Sequence, residues 1–570
     1  MIPSLATRGK LILSSSILVL LVGALHALPP IVALGGVGLS ALAAAYLAFY
    51  PTAVLLRRKK IELSWWVPPG DQPGGSLAAD RPFLLHIAFR NHGARPLRVL
   101  STRVLTGSSL FVEPVATATV TAGMQVEVAT SVRAASSGYH VLHGAVLVLG
   151  DALGLFEVQA YFPNPIAVKV FPRALPAGRN VRPALGSAHE QVGQHQVRRR
   201  GLAGELRELR DHAHGDPFKF IAWKATARRQ KLMVKDLETE IVAHHALVVD
   251  MGARMRGGAA GRAPLDWAID TASAIGRAAL ERGDRASLVG FDTRVVVELG
   301  PGSGRHHWLQ LVDRLLDGQT VVDEDLTDVT PSELVATVAR YLSHQEAYDV
   351  RVRVPPALDD PRWNHIQAGP DGQLYDLAAM NGMIAKLLES MGGRGGAGRG
   401  RSLAPQWWWS RVHLSAEGDP QLAPLRLFCR LRGIELPYRR DAEHGGRAAG
   451  FAQALERAVS EGRPDSILIV SNLHAIREDE AITTRALARA RRGAGQVIAM
   501  VPSLARFTAP ATTERGARVR SAFTRESRHA LDATRKFFAK HGVQLIEAGP
   551  SDSPAALLGR MRPGAPRRVA

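Results

Sequence analysis

Two apolar runs near the start of the chain constrain its fold more than any other feature. Residues 11–28 carry no Asp, Glu, Lys or Arg and are broken only by Ser14, Ser15, Ser16 and His26, and residues 31–50 carry no charge at all. At about 1.5 Å of rise per residue, each can cross a hydrocarbon layer of about 30 Å as a helix. Pro29 and Pro30 place a tight turn between them. A cleaved leader has one such run, not two. A pair of buried core helices would show polar residues punctuating one face. Arg8 and Lys10 precede the first run, Arg57, Arg58, Lys59 and Lys60 follow the second, and the turn has no basic residue. Positive flanks stay on the cytoplasmic side, so the expected arrangement is a two-pass hairpin in the inner (plasma) membrane with the bulk of the chain cytoplasmic. Gly36, Ser40 and Ala44 fall four apart on the second run, which reads either as a close-approach surface for another helix or as small-residue filler.

The remainder is long enough for two or three further domains with their own cores. Of 570 residues, 46% are hydrophobic and 22% charged, which excludes a disordered or fibrous chain. The single cysteine, Cys429, excludes a disulfide scaffold and a cysteine-based zinc cluster. The net charge of +19 comes mostly from arginine scattered among Ala and Gly. It reads as compositional bias rather than a nucleic-acid stripe; an anionic membrane or an acidic protein is the better partner.

Residues 61–176 alternate apolar and polar in short segments (83–89, 126–132, 141–149) separated by Gly, Pro and Asn turns, with residues 91–96 as a hairpin loop. This predicts a β-sandwich-like region of two antiparallel sheets. Trp65 and Trp66, just past the membrane exit, suit either the interface or a core. Residues 177–203 read as a linker, and 177–243 together as linker plus a dense charged block. In that block Asp216-Pro217 predicts a helix start, with the helix running to about Arg229 and Phe220, Trp223 and Ala227 on one face.

From His244 onward, short apolar strands alternate with amphipathic helices. The strand 246–250 ends in Asp250, and further strands fall at 286–291, 295–299, 466–471 and 496–501. This predicts an α/β domain with a Rossmann-type parallel sheet over 244–550, interrupted by an insertion at about 320–445 and followed by a basic tail, 551–570. The insertion shows helical stretches near 331–343 and 375–391. Its Gly/Arg tract at 392–401 reads as a flexible loop rather than an RNA-binding arm. Trp407, Trp408 and Trp409 read mainly as core.

Several motifs resemble the domain-of-unknown-function-58 family. Asp151-Ala-Leu-Gly-Leu-Phe156 is similar to that family's Asp-Pro-Leu-Gly-Leu-Phe element, with Ala152 in place of Pro. Val170-Phe-Pro-Arg173 is similar to the Val-Tyr-Pro strand that follows. Residues 204–240 resemble the family's charged block: a Glu/Arg-rich strand, Gly-Asp, an Ile-x-Trp-Lys helix and a Leu-Met-Val-Lys strand. The resemblance implies a membrane-anchored protein with a degenerate von Willebrand factor A-like domain, working beside a MoxR-type AAA+ ATPase.

Such domains often hold a metal ion through an Asp-x-Ser-x-Ser loop, because Mg²⁺ takes hard oxygen ligands in an octahedron. Here Asp250 matches, but Gly252 and Arg254 stand where the hydroxyls belong, and Asn472 replaces the later Asp. The expected metal site is therefore degenerate, with Asp250 paired to Arg254 in place of the ion, and no cofactor is expected. No phosphate-binding loop, nucleophile elbow or helical His-x3-His pair is present; His189-Glu190 and His195 have the wrong spacing, and the pairs His244-His245 and His306-His307 read as satisfied histidines.

Arg207, Glu208, Arg210, Asp211, Asp216, Trp223 and Lys224 are the candidate partner-binding residues. The alternative is a salt-bridged strut with Trp223 in a core. The functional expectation is a non-enzymatic scaffold or adaptor acting on a client through a MoxR-type ATPase. A metal-dependent receptor of the adhesion type, and then an envelope-biogenesis hydrolase, are the alternatives.

Overall fold

A computed structural model describes residues 3–55, 61–68, 77–93, 96–107, 109–151, 153–175, 195–213, 216, 218–357, 359–393, 412–415, 417–439, 446–460 and 462–559, with backbone alone over 195–208, 236–241 and a few helix-end positions. The short strand β1 (Ser4–Leu5) leads into α1 (Thr7–Leu25) and α2 (Pro29–Leu55). Both helices are long and apolar enough to cross a membrane, with mean hydropathies of 1.7 and 2.0 over their most apolar windows. They pack as an antiparallel pair because glycines let the backbones close. A Cβ at Gly35 would lie 2.8 Å from the Leu20 backbone nitrogen, one at Gly23 would lie 2.7 Å from that of Val32, and one at Gly38 would strike Ser16 Oγ at 2.2 Å. The close approach uses these positions and not Gly36, Ser40 and Ala44. A Cβ at Gly36 meets nothing within 4 Å, and Ser40 and Ala44 are exposed.

Residues 61–171 hold β2 (Ile61–Trp66), β3 (Leu77–Ala78), β4 (Pro82–Asn91), β5 (Leu97–Thr106), β6 (Leu110–Val112), β7 (Ala118–Val120), β8 (Gln125–Ala134), β9 (Gly138–Gly150) and β10 (Phe156–Phe171). They form two sheets, β1-β10-β9-β5-β7 with β3 beside β10, and β2-β4-β8-β6. The period of two decides which side faces in. Along β2, Ile61, Leu63 and Trp65 are buried while Glu62, Ser64 and Trp66 are exposed. Phe83, Leu85, Ile87 and Phe89 of β4 meet Leu147, Leu149 and Val170 of the other sheet in one core. Trp65 therefore belongs to the core, its Nε1 donating to the Asn164 carbonyl at 2.8 Å, and Trp66 stacks on His86 at the surface. Leu42, Phe49 and Ala53 of α2 belong to the same core.

A two-stranded ribbon follows: β11 (His195–Asp211) pairs with β12 (Met233–Ile241), with α3 (Trp223–Arg229) between them. Two expectations fail here. The segment expected to be a linker to residue 203 is strand from His195 onward; residues 177–194 lie outside the described residues. The helix expected from Asp216 is a single 3-10 turn at Phe218–Phe220 and then α3 alone. Asp216 does not cap a helix because Arg210 and the Ala213 N–H occupy its carboxylate.

The α/β part comprises β13 (His244–Asp250), α4 (Ala253–Arg256), α5 (Pro264–Glu281), β14 (Arg285–Phe291), β15 (Val295–Gly302), α6 (Gly304–Gln319), α7 (Pro331–Gln345), β16 (Ile366–Ala368), β17 (Leu374–Asp376), α8 (Leu377–Gly393), α9 (Ala423–Arg432), α10 (Arg447–Ser460), β18 (Ser466–Val470), α11 (Glu480–Gly493), β19 (Gln496–Pro502), α12 (Leu504–Phe507), α13 (Glu514–Lys540), β20 (Gln544–Ala548) and α14 (Pro554–Gly559). Its main sheet has the order β15-β14-β13-β18-β19-β20, parallel throughout except for the antiparallel edge strand β15. Every residue of β13 is buried, as a central strand covered on both faces requires. The helices α5 and α6 cover one face, and α10, α11 and α13 the other. Helices α7, α8 and α9 of the insertion share a separate core around Leu334, Met380, Phe428 and Cys429.

Residues 551–559 do not form a basic tail. Leu557 is buried against the sheet core, and the Asp552 carbonyl accepts from Trp267 Nε1 at 3.0 Å. Residues 560–570, the tract 394–401 and Trp407, Trp408 and Trp409 lie outside the described residues.

The sandwich and the main sheet are joined through Arg173, the last residue of the Val-Phe-Pro-Arg motif. Its backbone N–H and Nε donate to the two oxygens of Asp270 in α5 at 2.8 and 2.6 Å, Nη1 donates to Asp80 at 3.0 Å, and Nη2 donates to the Gly261 carbonyl at 2.9 Å. Burial pushes Asp270 up to about 6 while Arg173 pulls the other way.

Candidate functional site

Two places concentrate chemistry: the C-terminal edge of the main sheet around Asp250, and the tip of the β11–β12 ribbon.

Asp250 ends the central strand and is fully buried. Its Oδ1 accepts from the Gly252 N–H at 2.9 Å and from Arg447 Nη2 at 2.5 Å, and its Oδ2 accepts from Ser471 Oγ at 2.7 Å. The other arm of Arg447, Nη1, donates to Asp292 Oδ1 at 2.6 Å. Tyr438 OH donates to Asp292 Oδ2. One guanidinium therefore bridges the carboxylates that close β13 and β14, in the geometry that makes arginine suit paired acceptors. Burial pushes Asp292 up to about 6, with Arg447 opposing and Asp250 reinforcing. Burial works against the charge on Arg447 too, but Asp250 and Asp292 outweigh it and hold the guanidinium above the ordinary arginine value.

Beneath lies Arg256. It donates to the carbonyls of Met251 at 2.9 Å, Gly318 at 2.8 Å and Gln319, and its guanidinium sits 5.1 Å from the Tyr438 ring centroid. Burial pushes it down to about 10. Two carboxylates and two guanidiniums thus come together at the strand ends.

The expected partner of Asp250 is Arg254, but the structure places Arg447, the first residue of α10, against its carboxylate, while Arg254 lies in the short helix α4. Gly252 has a positive role: a Cβ there would stand 1.4 Å from Arg447 Nη1. The Asn472 side-chain oxygen accepts from the His474 N–H at 3.4 Å, and its amide nitrogen has no hydrogen-bond partner among the described residues. Its neighbour Ser471 makes the contact with Asp250. Sequence reasoning missed Arg447, Asp292, Tyr438 and Ser471. Only Asp292 and Ser471 left a trace, each a polar residue directly after an apolar strand.

Among the described residues no group of three or more His, Cys, Asp or Glu side chains has the spacing to hold a metal ion. The paired histidines are used structurally. His244 Nε2 meets Ser287 Oγ at 2.9 Å, His245 Nδ1 meets Ser466 Oγ at 2.7 Å, and His307 Nε2 donates to the Ala286 carbonyl at 2.8 Å. A cavity of about 440 Å³ opens between sandwich, sheet and insertion, with Arg256 and Tyr438 in its wall.

At the ribbon tip, Arg210 donates from both terminal nitrogens to Asp216 at 2.7 and 2.6 Å, and the Ala213 N–H donates to the same carboxylate at 2.8 Å. The Arg210 hydrogen bonds, followed by that of Ala213, hold Asp216 well below the usual carboxylate range. Ile221, Ala222, Met233 and Val234 are buried and fasten the loop to β12, with the Ala222 N–H donating to the Met233 carbonyl at 2.8 Å. The aromatic rings stay outside: Trp223 is 65% exposed and Phe218 is 78% exposed. Trp223 is therefore not a core residue, and no residue of α3 is buried.

Lys219, Lys224, Arg228, Arg229, Lys231 and Lys235 lie on the same segment and are all exposed, with Asp211 as an exposed acid; the Lys219 ammonium sits 4.9 Å from the Phe220 ring centroid. The tip brings together Arg210, Asp211, Asp216, Trp223 and Lys224. Arg207 and Glu208 lie on β11, where their side chains fall outside the described residues.

Residues 208–341 match the family model described as Protein of unknown function DUF58. The chain carries the DUF58 family region. That region begins in β11, takes in the whole ribbon tip and the Asp250 and Asp292 strand ends, and stops within α7. No curated protein matches the chain. Among solved structures, it is similar over 20% of its length to 97% of a FixG-related protein from Vibrio parahaemolyticus, at 11% identity and a TM-score of 0.14. It is also similar over 22% of its length to 36% of the VesB protease of Vibrio cholerae, at 14% identity and a TM-score of 0.15. A third similarity covers 75% of this chain and 54% of an alpha-2-macroglobulin fragment from Escherichia coli, at 11% identity and a TM-score of 0.16. Likenesses of this size carry no argument about fold or function.

Proposed function

We propose that this DUF58 chain is a membrane-anchored adaptor, not an enzyme, that docks a MoxR-type AAA+ ATPase on the cytoplasmic side of the inner membrane and links it to a client. The observation that carries the reading is the ribbon tip. Two aromatic side chains, Phe218 and Trp223, are exposed to water beside the Arg210–Asp216 ion pair, on a segment rich in exposed lysine and arginine. Exposed aromatics of this kind are the anchors of protein interfaces, and the cations favour an acidic partner face by steering encounter.

On this reading the main sheet is a von Willebrand A-like domain. Its strand order and single antiparallel edge support that, and the buried Arg447 stands where such a domain would take a cation. A guanidinium already bridging both carboxylates weighs against the metal-dependent receptor. The charge asymmetry of the hairpin flanks supports a two-pass topology with both ends cytoplasmic.

The test uses the full chain in lipid nanodiscs and the MoxR-type ATPase encoded nearest its gene. Trp223→Ala combined with Phe218→Ala is expected to weaken binding at least about tenfold, the loss typical of interface aromatics, with the thermal midpoint unchanged. If the wild-type chain binds the ATPase in neither the ATP nor the ADP state, or if the double variant binds like wild type, the adaptor reading is wrong.

A further inference from the structure

The contact between the helical hairpin and the sandwich is built from several independent bonds. Strand β1, immediately before α1, pairs with the start of β10, Leu5 opposite Phe156 and Ser4 opposite Glu157. The Ala6 N–H donates to the Leu155 carbonyl at 2.9 Å. Gly9 in the first turn of α1 sits so close to that carbonyl that a Cβ would lie 2.2 Å from its oxygen. From the other helix, Tyr46 meets the Phe156 ring edge-on at 5.4 Å.

The turn joining β9 to β10 is held closed by Asp151, whose carboxylate accepts from the N–H groups of Leu153, Leu155 and Phe156 at 3.2, 2.7 and 2.9 Å. The described residues of this Asp-x-Leu-Gly-Leu-Phe element thus form a hydrogen-bonded finger held against the first turn of α1. β1 runs antiparallel to β10, so the chain enters α1 at the end of β10 where the finger lies. At its end Leu153 is 64% exposed, and a Cβ at Gly154 would lie 3.9 Å from Arg8 Cδ. Arg8 and Lys10 are themselves exposed.

We infer that this finger is a second membrane contact, with Leu153 seated in the headgroup layer of a phospholipid bilayer and Arg8 and Lys10 beside it facing lipid phosphates. The inference rests on reading α1 and α2 as membrane-spanning. Given that reading, Arg8 and Lys10 mark the level at which the hydrocarbon ends, because cations near helix ends snorkel to the phosphates. The finger lies at that level, and an exposed leucine there gains by entering the interface. The hairpin then does more than tether: the sandwich is fixed upright on the bilayer by helix, strand and finger together.

Spin labelling tests this in the full chain reconstituted in vesicles of phosphatidylcholine and phosphatidylglycerol. The one native cysteine, Cys429, is fully buried and its thiol is pushed up to about 12, so introduced cysteines take the label selectively. Labels go on Leu153→Cys, on Leu18→Cys midway along α1, and on Val354→Cys, an exposed site in the insertion. Collision rates with oxygen, which partitions into lipid, and with a water-soluble nickel chelate are read at each.

Leu153 is expected to lose most of the nickel collisions seen at Val354 while retaining oxygen collisions, at a depth shallower than Leu18. If Leu18 reads as lipid but Leu153 reads like Val354, the finger is in water and the inference is wrong while the spanning helices stand. Loss of both collision types at Leu153 would mean protein burial and also overturns it. If Leu18 itself reads as water, the membrane reading falls and takes the inference with it.

Discussion

Gly252→Ser is the sharpest perturbation of the Asp250 centre. By sequence pattern alone it restores a hydroxyl to the Asp-x-Ser position of a cation-binding loop and should be harmless or helpful. The structure demands the opposite. The new Cβ would stand 1.4 Å from Arg447 Nη1, and also 2.5 Å from its Cζ. No rotamer of serine avoids a clash made by Cβ, so the Arg447 guanidinium must shift off the position where it bridges the two carboxylates. Its departure strips the counter-charge from Asp250 and Asp292, whose side chains are 1% and 3% exposed. Breaking a buried pair from one side costs about 3–5 kcal/mol, because the remaining charge stays desolvated. That is roughly two to three and a half decades in a local opening constant.

Arg447→Ala should cost a similar amount by removing the same guanidinium. Its penalty should shrink on acidification. Burial already pushes Asp292 up to about 6, and losing Arg447 removes the charge that opposes this, so below that pH the orphaned carboxyl takes a proton and the unpaired charge disappears.

The decisive measurement is the double variant. With Arg447 already absent, the serine has nothing to displace, so Gly252→Ser/Arg447→Ala should be scarcely worse than Arg447→Ala, giving a coupling of about 3 kcal/mol between the two positions. The assay is hydrogen–deuterium exchange of the full chain in nanodiscs, read on peptides covering His244–Asp250 and Arg285–Phe291, since exchange reports local opening free energies. Additive single effects, or a Gly252→Ser variant within about 0.5 kcal/mol of wild type, would refute the reasoning.

Two further outcomes follow from buried positions elsewhere. Burial pushes the His244 imidazole from 6.5 down to about 4, so the folded state binds that proton less readily than the unfolded state. Its contribution is neutral above about pH 6.5 and destabilises as pH falls toward 4, by up to about 3 kcal/mol. Comparison of wild type with His244→Asn by exchange at the β13 amides should show wild type losing ground over that window; a constant difference would contradict it. In the hairpin, Gly35→Val should force the helices apart against the Leu20 backbone and lower the thermal midpoint in detergent, an overpacking cost of about 1–3 kcal/mol, whereas Gly36→Val should behave as wild type. Equal effects at the two glycines would show that the packing face has been misplaced.

What could be read in advance follows a physical line. The two apolar helices, the alternating strands and the strand–helix succession after His244 are local patterns set by periods of 3.6 and 2. They appear where the sequence places them, within a few residues. The ribbon was misread because its decisive interactions are not periodic. Asp216-Pro217 looks like a helix start until Arg210, six residues earlier, takes the carboxylate. The apolar spacing of Phe220, Trp223 and Ala227 looks like a buried face until α3 proves only seven residues long. The tail was misread for a similar reason, since one leucine, Leu557, and one tryptophan, Trp267, pin a segment whose composition suggests no structure.

The Asp250 centre lies between these cases. Its carboxylate is legible, because a charged residue closing an apolar strand must be answered by something. What answers it is not, because Arg447 is 197 residues away and comes in across the insertion. A gap in the ligand pattern, glycine where a hydroxyl was expected, reads in isolation as decay of a metal site. Beside Arg447 it is a requirement: the space left by the missing Cβ is the space the guanidinium fills. Gly252 and Arg447 are one feature written at two points in the chain. Asp292 and Tyr438 complete the argument. Arg447 at the head of α10 and Tyr438 from the insertion both donate to Asp292, and together they tie three separate stretches of chain to the edge of the sheet. The consequence is mechanical: the centre fixes where α10 and the insertion stand against the strand ends.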